Sequence, residues 1–348
     1  MNRFRHGAQL ALLSLAAGAP GAACEVIGEG ADFFYVCPEP DPARLAALPD
    51  RLSDTGIYSD LAAGTLAPGV ERFRPAYELW SDGAEKRRFI RLPAGERIDT
   101  SDMNAWSLPV GTRIWKEFRR DGIRVETRLI ERVGSGPGAW SAQAYVWTDA
   151  DDDAVAAPAG FVDARGTGHN VPGAGECVGC HGGRASYALG FSAIQLSTDP
   201  ASGDDAGDEG EIDLRALIDA DRLSAPPPGL FALPGDDTER AALGYLHANC
   251  GHCHNPDRPS AEAGPCFDPD NALDFWLLVE RLASPDETPT HESAVGSVIQ
   301  PGDPRGSAIL GHMSTRGLFF PLRMPPIGSE RVDRDALELL ERWIAGLP

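Results

Sequence analysis

Ile114-Trp115-Lys116-Glu117-Phe118, the pair Asp121-Gly122, and then Ile123-Arg124-Val125-Glu126-Thr127-Arg128-Leu129 decide how the first half of this chain folds. The side chains alternate with period two, which puts Ile114, Lys116 and Phe118 on one face of a strand and Trp115 and Glu117 on the other. Asp-Gly is a tight-turn dipeptide, because a two-residue hairpin loop needs positive φ at both central positions. The next run resumes the alternation, with Ile123, Val125, Thr127 and Leu129 set against Arg124, Glu126 and Arg128, so a β-hairpin is expected. Trp140 to Trp147 adds a further strand. The expected fold class is α+β: a mainly antiparallel β domain over residues 71–198 and an all-α domain over 213–348. Lys116 breaks the pattern, since it shares a face with Ile114 and Phe118. Such a lysine either runs its apolar stem toward water, marks an edge strand, or serves chemistry.

Cys177-Val178-Gly179-Cys180-His181 and Cys250-Gly251-His252-Cys253-His254 repeat one pattern, and together they use four of the 7 cysteines and two of the 8 histidines. In Cys-x-x-Cys-His the two thiols add across the vinyl groups of a haem, and the histidine binds the iron. Two covalent haems c are therefore expected, ligated by His181 and His254. Paired Cys-x-x-Cys units also make structural zinc ribbons. Against zinc, the two pairs are far apart in the chain and each is followed directly by histidine.

Around the second motif the pattern is helical. Thr238 to Ala248, with Leu243 and Leu246 among its apolar positions, runs into Cys250, and thiols three positions apart reach one side of a turn. Asp333 caps a helix in which Ala336, Leu337, Leu340 and Ile344 share a face beside Trp343. Asp303-Pro304 signals the start of another. Between them, Arg323-Met324-Pro325-Pro326 offers a thioether as sixth iron ligand, which raises a haem potential. Met313 competes but fits core packing, and His247, His252 and His312 read as structural or exposed. No sixth ligand is assigned to the first haem; His169 and Met103 are the nearest candidates, and each reads as a loop residue.

The N-terminus has basic residues, an apolar run from Ala8 to Ala17 and small residues up to Ala23, the layout of a signal peptide over 1–23. The apolar run is too short to span a bilayer, and the expected location is periplasmic or exported. Cys24 either carries a lipid anchor or pairs with Cys37, which leaves Cys266 without an assigned partner. Residues 24–70 read as an extended segment and 199–212 as an acidic, solvated linker, in line with roughly two domains. The net charge of −21 argues against nucleic acid and suits a basic redox partner, although acidity also keeps an exported protein soluble. No Gly-x-Ser-x-Gly elbow or paired-carboxylate motif supports a hydrolase.

Helix, Cys-x-x-Cys-His, Met-Pro-Pro loop and final helix resemble a class I cytochrome c domain over about residues 213–348. Gly111-Thr112-Arg113-Ile114-Trp115-Lys116-Glu117, with Trp140 and then Cys177 to His181, is similar to the haem-lysine cross-linked cytochromes that oxidise hydroxylamine and to their uncross-linked β-sheet relatives. That resemblance implies a bond from Lys116 to the haem edge and an open sixth iron position; no match to the distal carboxylate of those enzymes is found. Tyr77 to Lys86, Gly244 to Asn249, Pro301-Gly302-Asp303-Pro304 and Met324-Pro325-Pro326 resemble bacterial di-haem c-type cytochromes over roughly residues 50–346. The implied function is electron transfer. The alternatives are a redox enzyme, with the first haem oxidising hydroxylamine or reducing peroxide and the second as electron port, and a sensor of nitric oxide or carbon monoxide.

Overall fold

The computed structural model describes residues 25–27, 34–36, 48–136, 139–198, 211–257, 272–316, 323–326 and 328–348. The expected signal peptide, Cys24, Cys37, Cys266 and most of the acidic stretch lie outside the described residues. The chain is α+β, built on a seven-stranded sheet with helices after it.

Two short antiparallel pairs come first, β1 (Glu25–Ile27) with β2 (Phe34–Val36) and β3 (Tyr58–Asp60) with β4 (Thr65–Leu66). The large sheet contains β5 (Glu71–Phe73), β6 (Glu85–Arg91), β7 (Arg113–Arg120), β8 (Ile123–Arg132), β9 (Trp140–Trp147), β10 (Ala154–Ala156) and β11 (Glu211–Ile212). Its order is β10-β9-β8-β7-β6-β5-β11, antiparallel except where β11 runs parallel to β5. The expected hairpin is β7 and β8, and Asp121 and Gly122 turn it with φ of 50° and 79°. Both central residues are left-handed, as the right-handed twist of paired strands requires of a two-residue loop.

Both faces of the sheet are covered. Ile90, Ile114 and Ile130 line up across β6, β7 and β8 and pack with Trp106, Phe191 and Leu214. Phe89, Trp115 and Leu129 form the opposite row and pack under Leu52 and Ile57. Residues 48–70, expected as extended chain, thus include a 3-10 turn (Leu52–Thr55) that caps this second face. The link is polar as well: Arg113 donates to the Thr55 carbonyl at 2.8 Å and the Trp115 indole to Thr55 Oγ1 at 3.1 Å.

Six α-helices are described: α1 (Ala174–His181), α2 (Leu214–Asp219), α3 (Asp237–Asn249), α4 (Pro289–Ala294), α5 (Ala308–Ser314) and α6 (Arg334–Gly346). After the acidic stretch the chain returns to the sheet before leaving it. β11 pairs with β5, and Leu214, Leu217 and Leu223 pack in the first core, although the sequence grouped them with residues 213–348. α3 and α6 begin at side-chain caps, Asp236 accepting from the Glu239 N–H at 2.9 Å and Asp333 from the Ala336 N–H at 3.1 Å. Leu246, Phe275, Met313, Leu340, Trp343 and Ile344 share a second core. The helix expected at Asp303 starts instead at Ala308, because Asp303 folds its carboxylate onto the Gly306 N–H and its carbonyl takes the Ser307 hydroxyl. Among the described residues no helix is long and apolar enough to cross a membrane.

A strap over residues 77–82 ties the second core to the sheet. The Trp80 N–H donates to Asn249 Oδ1 at 2.7 Å, and Asn249 Nδ2 donates back to the Glu78 carbonyl at 3.0 Å. Asp82 accepts from the Glu330 and Arg331 N–H groups at 3.1 and 2.8 Å. Gly244 lies flat against the Tyr77 ring, where a Cβ would overlap the ring carbons. Alanine at a helix interior ordinarily stabilises by about 1 kcal/mol over glycine. Gly244→Ala is expected to do the reverse, lowering stability by about 1–3 kcal/mol through overpacking; a denaturant unfolding curve reads the sign, and a stabilised variant would refute the close contact.

Candidate functional site

α1 carries the whole first motif. Its start is held by Glu176, which accepts the Gly173 N–H at 2.8 Å. His181 Nδ1 lies 2.6 Å from the Tyr187 carbonyl oxygen, so Nδ1 carries the proton and Nε2 keeps its lone pair. Metal-bound histidines are oriented by this kind of bond. Burial pushes the imidazole down to about 3, so it is neutral. Tyr187 stacks on Trp140 with ring centroids 5.7 Å apart and planes 10° from parallel, which fixes the carbonyl that orients His181.

The second motif follows α3 directly, with Cys250 as its C-cap and the His254 N–H returning to the Cys250 carbonyl at 2.8 Å. Beside it opens a cleft of about 450 Å³ whose walls include Cys250, Cys253, His254, Phe275, Met313 and Met324. Ligand pockets occupy roughly 300–1,000 Å³. Two thiols, an imidazole and thioethers around apolar space form a donor set that fits a covalently held haem. Met324 reaches the wall because its N–H donates to the His312 carbonyl at 3.0 Å. Met313 lines the same cleft while also packing in the second core, and His312 lines it too. His247 and His252 are buried away from it, with imidazoles that burial lowers to about 3 and about 4. Burial raises the thiols, Cys177 to about 11 and Cys250 to about 12.

The two motifs touch. Cys253 Sγ lies 3.9 Å from the Gly179 carbonyl oxygen, so the chain brings both pentapeptides to one place. Arg184 clamps the contact, donating to Asn255 Oδ1 at 3.3 Å, Asp257 Oδ2 at 3.0 Å and the Asn104 carbonyl at 3.0 Å. Its guanidinium also covers the Trp276 ring at 4.2 Å. Asn255 Nδ2 donates across to the Gly183 carbonyl at 3.3 Å. Among the described residues no three His, Cys, Asp or Glu side chains gather into a ready metal site.

Lys116 sits in a cationic rung. The register pairs Arg88 with Lys116 and Lys116 with Arg128, so three cations lie in line across β6, β7 and β8. Burial, then Arg88, Arg128 and Lys86, hold the Lys116 ammonium well below the ordinary lysine range. Glu78 reaches Lys86 at 3.4 Å and Arg88 at 3.1 Å. Glu126 pairs with Arg128 at 2.6 Å and with His169 at 2.7 Å. His169, which reads as a loop residue in the sequence, is therefore buried against the Glu126 carboxylate. Met103 is likewise engaged, its sulfur accepting from the Trp106 indole at 3.4 Å. In the sequence Glu126 and Arg128 read only as strand polars and Asn249 only as the end of a resembling stretch, and Arg88 carries no signal of its own. The alternation shows each cation on its own strand, but the line appears only once β6 is paired with β7.

No family model, curated protein or solved structure matches this chain.

Burial raises the Glu126 carboxyl, yet Arg128 and His169 outweigh it and leave it below its ordinary 4.5. A depressed carboxylate contributes stability above its unfolded pKa and loses it as pH falls through the folded value. Glu126→Gln is expected to cost about 3 kcal/mol at pH 7, since it leaves Arg128 unpaired. The gap to the parent should narrow as pH falls below about 4.5, the ordinary carboxyl value, and go on narrowing as pH approaches the lowered folded value. Unfolding midpoints measured from pH 7 to pH 3 check this, and a gap as wide at pH 3 as at pH 7 would contradict it.

Proposed function

We propose that this chain is an exported di-haem c-type cytochrome that transfers electrons, with one haem on Cys177, Cys180 and His181 and the other on Cys250, Cys253 and His254. The observation that carries the reading is the contact of the two motifs at Cys253 and Gly179. Covalent haems anchored there would exchange electrons over a short path; a structural zinc site would also bring the two pairs together, but among the described residues no three Cys or His side chains gather as it would require. The haems supply one-electron chemistry. The protein orients His181 through the Tyr187 carbonyl, surrounds His254 with an apolar cleft, and presents Met324 to the second haem. Residues around the second motif form the cytochrome c-like part of the chain, and a basic redox partner suits the net charge of −21.

A second reading makes the first haem a reactive centre that binds a small ligand such as hydroxylamine, peroxide or nitric oxide. One observation favours it: His169 Nε2 is bonded to Glu126 and the Met103 sulfur to Trp106, so neither nearest candidate offers those atoms as a sixth ligand. Lys116 would then stand at the haem edge, where a covalent bond to it is testable.

Peptide mass spectrometry of the purified holoprotein is expected to find two covalent haems, one on each motif, and to report any bond to Lys116. Unmodified cysteines at either motif would refute the di-haem reading. Met324→Ala is expected to lower the potential of one haem and open it to carbon monoxide, leaving the other unchanged. An unaltered spectrum and potential would remove Met324 as ligand. Carbon monoxide binding to the reduced parent protein separates the reactive-centre reading from a simple carrier.

A further inference from the structure

Between the sheet and α3 lies a void of about 20 Å³, lined in part by Arg88, Lys116, Gln195, His247, His252 and Trp276. By that measure a water needs about 10–15 Å³, so the space suits a water or the end of a carboxylate and is far too small for a macrocycle. Three nitrogens on these lining residues are buried without a hydrogen-bond partner, Arg88 Nη2, His247 Nε2 and Trp276 Nε1, while the His252 ring has the Ala248 backbone beside it. Buried polar groups in folded proteins are almost always paired, so three orphans around one space point to a missing partner.

The chemistry of the orphans says what that partner is. Guanidinium and indole nitrogens only donate. His247 Nδ1 accepts from the Leu277 N–H at 3.1 Å, which puts the ring proton on Nε2 and makes it a third donor. Gln195 spends its carbonyl on the Tyr77 N–H at 3.1 Å, so that acceptor is already engaged. Charge points the same way. Glu78 serves two cations, Lys86 and Arg88, while Lys116 makes no ion pair among the described residues and has its ammonium 5.8 Å from the Phe118 ring centre. Converging donors with surplus positive charge are complementary to an anion.

We infer that this void is a seat for one carboxylate-sized anion at the junction of the two halves. Two sources have this chemistry: a small carboxylate from solution, and a carboxylate arm of the haem at the first motif. The second source rests on the haem reading above; the seat itself does not.

The test uses the full-length protein as isolated, with its haem content counted by mass spectrometry in every sample, so that failure of the haem reading is seen separately. Formate is titrated by calorimetry into the parent, Trp276→Phe, Lys116→Met and Lys116→Arg, and the haem potentials of all four are measured. Saturable formate binding, weakened about tenfold in Trp276→Phe and Lys116→Met and restored in Lys116→Arg, supports a seat filled from solution. No formate binding, with the potential of one haem lowered in Trp276→Phe and Lys116→Met but not in Lys116→Arg, supports a seat filled by the haem carboxylate. Trp276→Phe changes no charge, so a shift there reports a lost directed hydrogen bond. The proposal is overturned by a response in Lys116→Met alone, which is a field effect, or by none in either measurement, which leaves a water-filled void.

Discussion

The side-chain amide of Asn249 determines where the second motif sits. Its oxygen takes the Trp80 N–H and its nitrogen gives to the Glu78 and Tyr245 carbonyls, so one buried group is bonded to the strap and to its own helix. Asn249 is the residue before Cys250, and any slip of the strap would therefore move the motif itself. Gly244, one turn earlier, lets Tyr77 close against the helix, and Asp82 anchors the other end of the strap near α6. Buried hydrogen bonds of this kind contribute modestly when made and cost more when one partner is lost. Their value here is positional: they hold Cys253 against Gly179 across a long stretch of sequence.

That placement needs a rigid partner, and the sheet supplies it by being buried on both faces. Antiparallel sheets usually leave one face to water. Here residues 48–70 cover one side, and the segment after β11 covers part of the other. Double burial explains why charged residues in the middle of β7 and β8 turn to partners inside the fold, although Glu85 and Arg87 on β6 are exposed. Glu117 turns to Tyr58 and Arg119, and Glu126 to Arg128 and His169. In the rung of Arg88, Lys116 and Arg128 the outer two are paired, Arg88 with Glu78 and Arg128 with Glu126, which leaves Lys116 between them as the cation with no ion pair among the described residues.

The local features of this arrangement were legible in the sequence. Alternation marks β7 and β8, Asp121-Gly122 marks their turn, Asp333 marks the cap of α6, and the motifs are explicit. Lys116 stood out because period two placed it among apolar neighbours. What escaped was everything set by pairing across the chain. Arg88 and Arg128 read as ordinary strand polars until the register aligns them with Lys116. Asn249 looks like any residue before a Cys-x-x-Cys-His until the strap is docked on it. Asp303-Pro304 carries a genuine start signal, yet the Asp303 carboxylate satisfies Gly306 in a turn and the helix waits until Ala308. His169 has no periodic signature, because its partner Glu126 is reached through a loop.

The buried cations also bear on what the net charge means. Lys86, Arg88, Lys116 and Arg128 face inward, with the side chains of Lys86 and Arg88 only 4% and 3% exposed. Of their buried counterions, only Glu126 is wholly enclosed, while Glu78 keeps 44% of its side chain in water. Glu117 is enclosed on the same sheet with 2% of its side chain exposed and Arg128 keeps 27% of its own, so the charges withdrawn from this part of the surface nearly balance. The exterior that an approaching protein meets therefore keeps close to the full acidic excess of the chain, whose net charge is −21. Long-range attraction acts through that exterior and is screened over about 8–10 Å at ordinary salt. The proposed electron transfer would use that acidic surface for encounter with a basic partner, while inside the sheet each paired cation is held by a named carboxylate and Lys116 alone is left unpaired among the described residues.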